Sequence, residues 1–180
     1  LMYYYGSQNK PFVYRCINRL DRDTTGLTIV AKHALAGGIL GNAVAKRAIH
    51  RTYYAVCSGC TPACMRISAP IARKDASTIE RCVDFKRGEN AVTDFIRIKY
   101  NPDNNLSLVK LRLLTGRTHQ IRVHMKYIGF PLIGDFLYNP DYTYISRQAL
   151  HSGRLVFTHP VTGQKMNLIS DIPSDMKSLF

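Results

Sequence analysis

The sequence predicts an α+β domain with a central, mixed and mainly antiparallel β-sheet flanked by helices, on three observations. The chain has 180 residues, a length that supports one domain with its own buried core. Residues 92–100 and 106–114 alternate apolar and polar side chains about an Asn101-Pro102-Asp103-Asn104-Asn105 turn, the pattern of a β-hairpin. Residues 118–128 switch to helical spacing, with Ile121, Met125 and Ile128 on one stripe and His119, Arg122 and Lys126 on another.

The other elements follow in chain order. Residues 27–31 form an apolar run of strand type that leads into helical spacing over about 33–47. Residues 52–57 are rich in aromatic and β-branched side chains and read as a strand. Pro62 and Pro70 break any helix around the mixed stretch 65–87. Residues 155–157 and 166–169 add strands, and Pro173 opens a short C-terminal helix. There is no internal repeat, low-complexity segment or linker, so residues 1–180 are expected to form a single domain.

Charge narrows the function. There are 25 Lys and Arg against 12 Asp and Glu, a formal balance of +13, in a chain that is 46% hydrophobic and 21% charged. That composition is too apolar for a disordered basic tail, and a folded protein this basic suits a polyanionic partner. No apolar run approaches the ~20 residues of a membrane span, and residues 35–45 are interrupted by Gly37, Gly38, Gly41 and Asn42. The first residues lack the basic start and long apolar stretch of a signal peptide, so a cytoplasmic location and reduced thiols are expected. Cys57, Cys60 and Cys64 have zinc-like spacing, but no second CxxC or HxxxH accompanies them, and no metal is expected there.

The charge is unevenly spread. Residues 1–74 contain only two carboxylates, Asp21 and Asp23, and residues 104–134 contain none while carrying Lys110, Arg112, Arg117, Arg122 and Lys126. Such one-sign stretches, folded onto one face, attract a phosphate backbone. Asp21-Arg22-Asp23-Thr24-Thr25-Gly26 imitates the start of a calcium loop, but Lys32 stands where its bidentate Glu belongs, which excludes that reading. Asp23 and the threonines suit a turn before a strand. Asp21, between Arg19 and Arg22, is a repulsive group on a phosphate-attracting surface and needs a compensating role, as nucleophile or proton acceptor.

A second constellation spans residues 114–124. Gly116 permits a tight turn, Thr118 is placed to cap the helix, and a phosphate suits the free N–H groups of a helix start with Arg117 beside it. His119 and Arg122 share a helical face. If Arg122 points inward it requires an anion, and Asp21 is the expected partner.

Taken in order, Asn18-Arg19-Leu20-Asp21-Arg22-Asp23-Thr24-Thr25-Gly26-Leu27, Arg51-Thr52-Tyr53-Tyr54-Ala55-Val56, and 114–124 followed by Gly129-Phe130-Pro131-Leu132-Ile133-Gly134-Asp135 resemble the RluA-type pseudouridine synthases. The resemblance runs from about Ile17 to Phe180, including Arg147-Gln148-Ala149-Leu150-His151 and Phe157-Thr158-His159-Pro160. It implies a cofactor-free isomerisation of uridine in structured RNA, ribosomal or transfer RNA, by a monomer. It also implies Asp21 as catalytic aspartate, Tyr53 as the ring stacked on the uracil, and Arg122, with Arg117 as the alternative, as the basic residue paired with Asp21. Arg19 matches the residue that fills the space left by the extruded base. Arg22, Arg117, Thr118, His119, Gln120 and Lys126 are expected on the RNA-binding surface. The chain departs from the family at Asn18, where His is usual, and at Lys10-Pro11-Phe12, where a Lys-Pro-x-Gly turn is usual. It is therefore expected to be a catalytic domain lacking its N-terminal strand and any upstream RNA-binding domain. Two rival readings are a non-catalytic RNA-binding module and a metal-dependent nuclease. Residues 1–74 hold too few carboxylates for the second.

Overall fold

In the computed structural model of the protein, which describes residues 2–75 and 79–180, nine strands and four helices follow the expected α+β pattern. The period-two segments become β6 (Val92–Asn101) and β7 (Leu106–Leu113), antiparallel to one another. Their neighbours are β2 (His50–Ser58), which pairs with β7, and β3 (Cys64–Ser68), which pairs with β6. On the far side of β2 lies β8 (Leu150–Thr158), flanked in turn by the two-residue β1 (Thr25–Gly26) and by β9 (Lys165–Ile169). The sheet order is β1-β8-β2-β7-β6-β3 with β9 on β8, and among the described residues its one parallel pairing is β1 with β8. A separate pair, β4 (Ile71–Arg73) and β5 (Arg81–Val83), occupies the mixed stretch after Pro70.

The helices are α1 (Met2–Gly6), α2 (Ala34–Ala45), α3 (Gln120–Tyr127) and α4 (Ser174–Lys177). Side-chain alternation sorts the sheet residues to two faces. Tyr53, Ala55, Val109 and Leu111 form a core with Ile121 and Met125 of α3. On the opposite face Val56 and Leu106 pack with Ile133, Ile145, Met176 and Leu179.

The expected strand over 27–31 is not a strand of this sheet. Ile17 N–H donates to Ile29 O, and Ala31 N–H donates to Arg15 O, so the segment pairs locally with the chain before Asp21. Ile29 and Ala31 are still buried, against Ala36 and Leu40 of α2. The apolar run thus marks burial, while strand pairing falls to the preceding Thr25 and Gly26. Gly26 adopts φ 105° against the backbone of Ser152, whose oxygen would lie 2.3 Å from any Cβ, so only glycine fits this approach.

Candidate functional site

The loop carrying Asp21 is fastened on three sides. Asn18, almost fully buried, accepts Ile29 N–H through Oδ1 at 2.8 Å, and Thr28 Oγ1 donates to its carbonyl. Thr24 N–H donates to Asp21 O at 3.0 Å, closing a turn in which Asp23 takes a left-handed φ of 68°. From the lead-in to β8, the buried Gln148 Nε2 donates to Arg22 O at 2.8 Å and to Thr24 Oγ1 at 2.7 Å. Asn18, which stands where the family's His is usual, therefore acts here as a staple of the loop. The Asp21 side chain emerges 27% exposed.

Arg122 does point inward, and its principal partner is Asp135. Nε and Nη2 each donate to the Asp135 carboxylate at 2.7 Å, and Nη1 donates to Asp21 Oδ2 at 3.3 Å. Asp135 is fully buried and also accepts the N–H groups of Leu137 and Tyr138. The rings of Phe136 and Tyr138 lie over the guanidinium, with centroids 5.3 and 5.0 Å away. Burial opposes the Arg122 charge, but the carboxylates of Asp135 and Asp21 more than offset it and raise its pKa. The bidentate Asp135 clamp fixes the guanidinium plane and leaves Nη1 aimed at Asp21. Asp21 Oδ1 has no hydrogen-bond partner among the described residues.

Tyr53, on the α3 side of β2, lines the same cavity of about 800 Å³ as Asp21 and Arg122. Burial pushes its phenol pKa up, with the Arg51 guanidinium opposing that shift and Asp21 adding to it. Arg19 is exposed and lines the cavity beside Asp21. So do Thr118 and His119, and the bases Arg47, Arg51 and Arg112, which the sequence did not single out as site residues. Arg51 was detectable, since it lies two residues before Tyr53 and strand period two puts both on one face. Asp135 was detectable as the acid that ends the acid-free stretch 104–134.

Thr118 does not cap α3. His119 holds the N-cap position in a left-handed conformation, φ 57°, and no side chain caps the helix. The turn is fixed from within by Gln120, whose Oε1 accepts Arg117 N–H at 2.9 Å and the Thr115 hydroxyl at 2.8 Å. Its Nε2 donates to Val92 O and to Thr93 Oγ1 on β6. Gln120 is thus a buried fastener of the helix start rather than an RNA-facing side chain, because every polar atom of its amide is engaged internally. Arg117 lines the cavity, but its guanidinium is engaged by Glu89 and by Asn90 O. Arg22 and Lys126 do not line the cavity. Arg22 lies over the Phe136 ring and pairs with Asp23, and the Lys126 ammonium lies over Tyr138.

Three histidines are held neutral by their surroundings. His124 is fully buried, donates from Nε2 to Ala69 O and accepts the Thr93 hydroxyl at Nδ1, each at 2.9 Å. His119 Nδ1 bonds the Tyr138 hydroxyl, and His151 Nδ1 bonds Thr25 Oγ1. Burial is the largest cause depressing the pKa of all three. A histidine whose folded pKa lies below its unfolded value of ~6.5 stabilises fully above that value and loses its contribution as pH falls toward the folded pKa. Melting temperature should therefore hold from pH 8 to 7 and fall progressively from pH 6.5 to 5. A flat profile across that range in thermal melts would overturn this account.

Among the described residues no three His, Cys, Asp or Glu side chains converge as metal ligands. Cys57 is buried, with its thiol pKa raised by desolvation, whereas Cys60 and Cys64 are exposed.

Comparison with known proteins supplies context for this geometry. A family profile described as RNA pseudouridylate synthase matches residues 1–127. The chain is 47% identical over 166 residues to an uncharacterized RNA pseudouridine synthase, YjbO, of Bacillus subtilis, covering 91% of this chain and 57% of that protein. It is 37% identical over 174 residues to the ribosomal large subunit pseudouridine synthase D of Zymomonas mobilis, covering 91% of this chain and 54% of that protein. The chain thus spans little more than half the length of these relatives. Among solved structures, human RNA pseudouridylate synthase domain containing 1 superposes with a TM-score of 0.79 at 26% identity, covering 88% of this chain and 69% of that one.

Proposed function

The chain belongs to the RluA-type RNA pseudouridine synthase family, and from that premise we propose that it isomerises uridine to pseudouridine in structured RNA. The observation that carries the reading is Asp21, a lone carboxylate held by a fastened loop at the cavity wall, with Arg122 on one oxygen and the other without a partner among the described residues.

The isomerisation breaks the N1–C1′ bond, turns the uracil and rejoins it through C5. The proton lost from C5 is matched by one gained at N1, so the reaction needs no oxidant, reductant or added group. The free Oδ1 of Asp21 is the atom that attacks carbon or accepts a proton. Arg122, held by Asp135, orients that carboxylate. A uridine within folded RNA must first be flipped out, at a cost of a few kcal/mol. Stacking on Tyr53 offsets roughly 1–3 kcal/mol of it, and Arg19 stands at the cavity wall to occupy the vacated place. Ribosomal RNA is the favoured substrate, because the Zymomonas relative is named for the large ribosomal subunit.

Incubation with ribosomal and transfer RNA transcripts, followed by chemical mapping of pseudouridine, tests the reading. Pseudouridine is expected at discrete positions, chiefly in ribosomal RNA. RNA binding with no pseudouridine in either transcript would instead favour a non-catalytic RNA-binding module.

A further inference from the structure

The two faces of the sheet are covered unequally. The face opposite α3 is packed near Val56 and Leu106, but toward the start of β2 it is open, and there Thr52, Ile96, Lys110, Arg112 and Arg154 line a groove of about 420 Å³. Strand register makes its cations a set. Thr52 is opposite Arg112 on one side and Arg154 on the other. Two strand spacings separate these arginines by about 10 Å, and Lys110 follows two residues along β7, about 7 Å away on the same face.

These cations are available. Arg154 donates from Nε to Asn167 Oδ1 at 2.8 Å, which leaves its two terminal amino groups for a ligand. Neither Lys110 nor Arg112 forms an ion pair among the described residues. The acid that lines the groove, Asp94, is already taken by Arg66 through bonds of 2.6 and 2.8 Å. The groove also adjoins the cavity that holds Asp21, since His50, Arg51 and Arg112 line both, at the sheet end where β2 begins and β7 stops.

We propose that the RNA strand flanking the target uridine leaves the cavity over Arg112 and lies in this groove on the opposite face of the sheet, its phosphates held by Lys110, Arg112 and Arg154. This rests on the reading of the chain as an RNA-modifying enzyme. The groove offers charged donors above an apolar floor of Ile96 and Val156, which suits sequence-independent contact with the sugar–phosphate backbone. It extends the grip on long RNA without touching the reacting uridine.

The test uses the double variant Lys110→Gln/Arg154→Gln, both residues outside the catalytic cavity. Binding of a fluorescent ribosomal RNA transcript and of a short oligonucleotide that ends one nucleotide to either side of a modified uridine, too short to reach the groove, is measured as a function of salt. For the transcript, affinity should fall roughly fivefold or more, and the log–log salt slope should shrink by about 1.4, two single-strand phosphate contacts at about 0.7 each. KM on the transcript should rise with kcat unchanged, and the short oligonucleotide should bind as to wild type. An unchanged affinity and slope on the transcript would overturn the groove while leaving the activity standing. Equal loss on both RNAs would also overturn it, showing a general charge effect. Absence of pseudouridine from wild-type protein would instead remove the functional reading itself.

Discussion

Asp21→Asn is expected to bind RNA at least as tightly as wild type and to form no pseudouridine. The change is isosteric, and the carboxamide oxygen can still accept from Arg122 Nη1, so the loop stapled by Asn18 and Gln148 should keep its place. What disappears is the anionic oxygen that attacks or takes a proton. Removal of a group that itself reacts lowers turnover on the order of 10⁴-fold or more. Binding should hold or tighten slightly, because a negative charge is removed from a surface that attracts phosphate. Single-turnover assays beside a binding titration separate the two effects. Turnover within tenfold of wild type would sink the assignment of Asp21.

The largest effect on stability is expected at Asp135. Asp135→Ala removes both bonds to a guanidinium only 1% exposed, and it strips the acceptor from two backbone N–H groups. An unpaired buried charge of this kind costs about 3–5 kcal/mol, which urea denaturation would read directly. In a domain of this size that corresponds to a fall of roughly 6–20 °C in melting temperature. Activity should fall as well, since Arg122 would no longer be held where it meets Asp21. A destabilisation below about 1 kcal/mol would show that Asp21 alone satisfies Arg122.

The two effects illustrate what kind of information the sequence carries. Asp21 stands out because it and Asp23 are the two acids of residues 1–74, and Asp23 has a turn to account for it, a contrast visible along one dimension. Asp135 is as essential to the geometry but is separated from Arg122 by a turn and a loop, and a bidentate pair across that distance has no periodic signature. Arg122 needed an anion, and chemistry alone offered Asp21. Only packing shows that Asp135 takes two of its donors and Asp21 the third. The cap expected of Thr118 and the outward side chain expected of Gln120 are overturned for a related reason. Their polar character suggests an outward role, yet Gln120 is turned in to close the helix start and His119 takes the capping position.

The family and the part of Tyr53 come from the resemblance of the chain's motifs, whereas the α+β class, the β6–β7 hairpin, the positions of α2 and α3, and Asp21 with Arg122 as its expected partner are written in the residues themselves. These are legible because side-chain period, turn composition and charge contrast are local properties of the chain. The tertiary structure alone decided that 27–31 pairs locally rather than in the sheet, that Asp135 clamps Arg122, and that Lys110 and Arg112 of β7 share a groove with Arg154 of β8. Each of these depends on register between segments far apart in sequence, where what wins is the satisfaction of buried charges and backbone groups rather than any preference of the residues themselves.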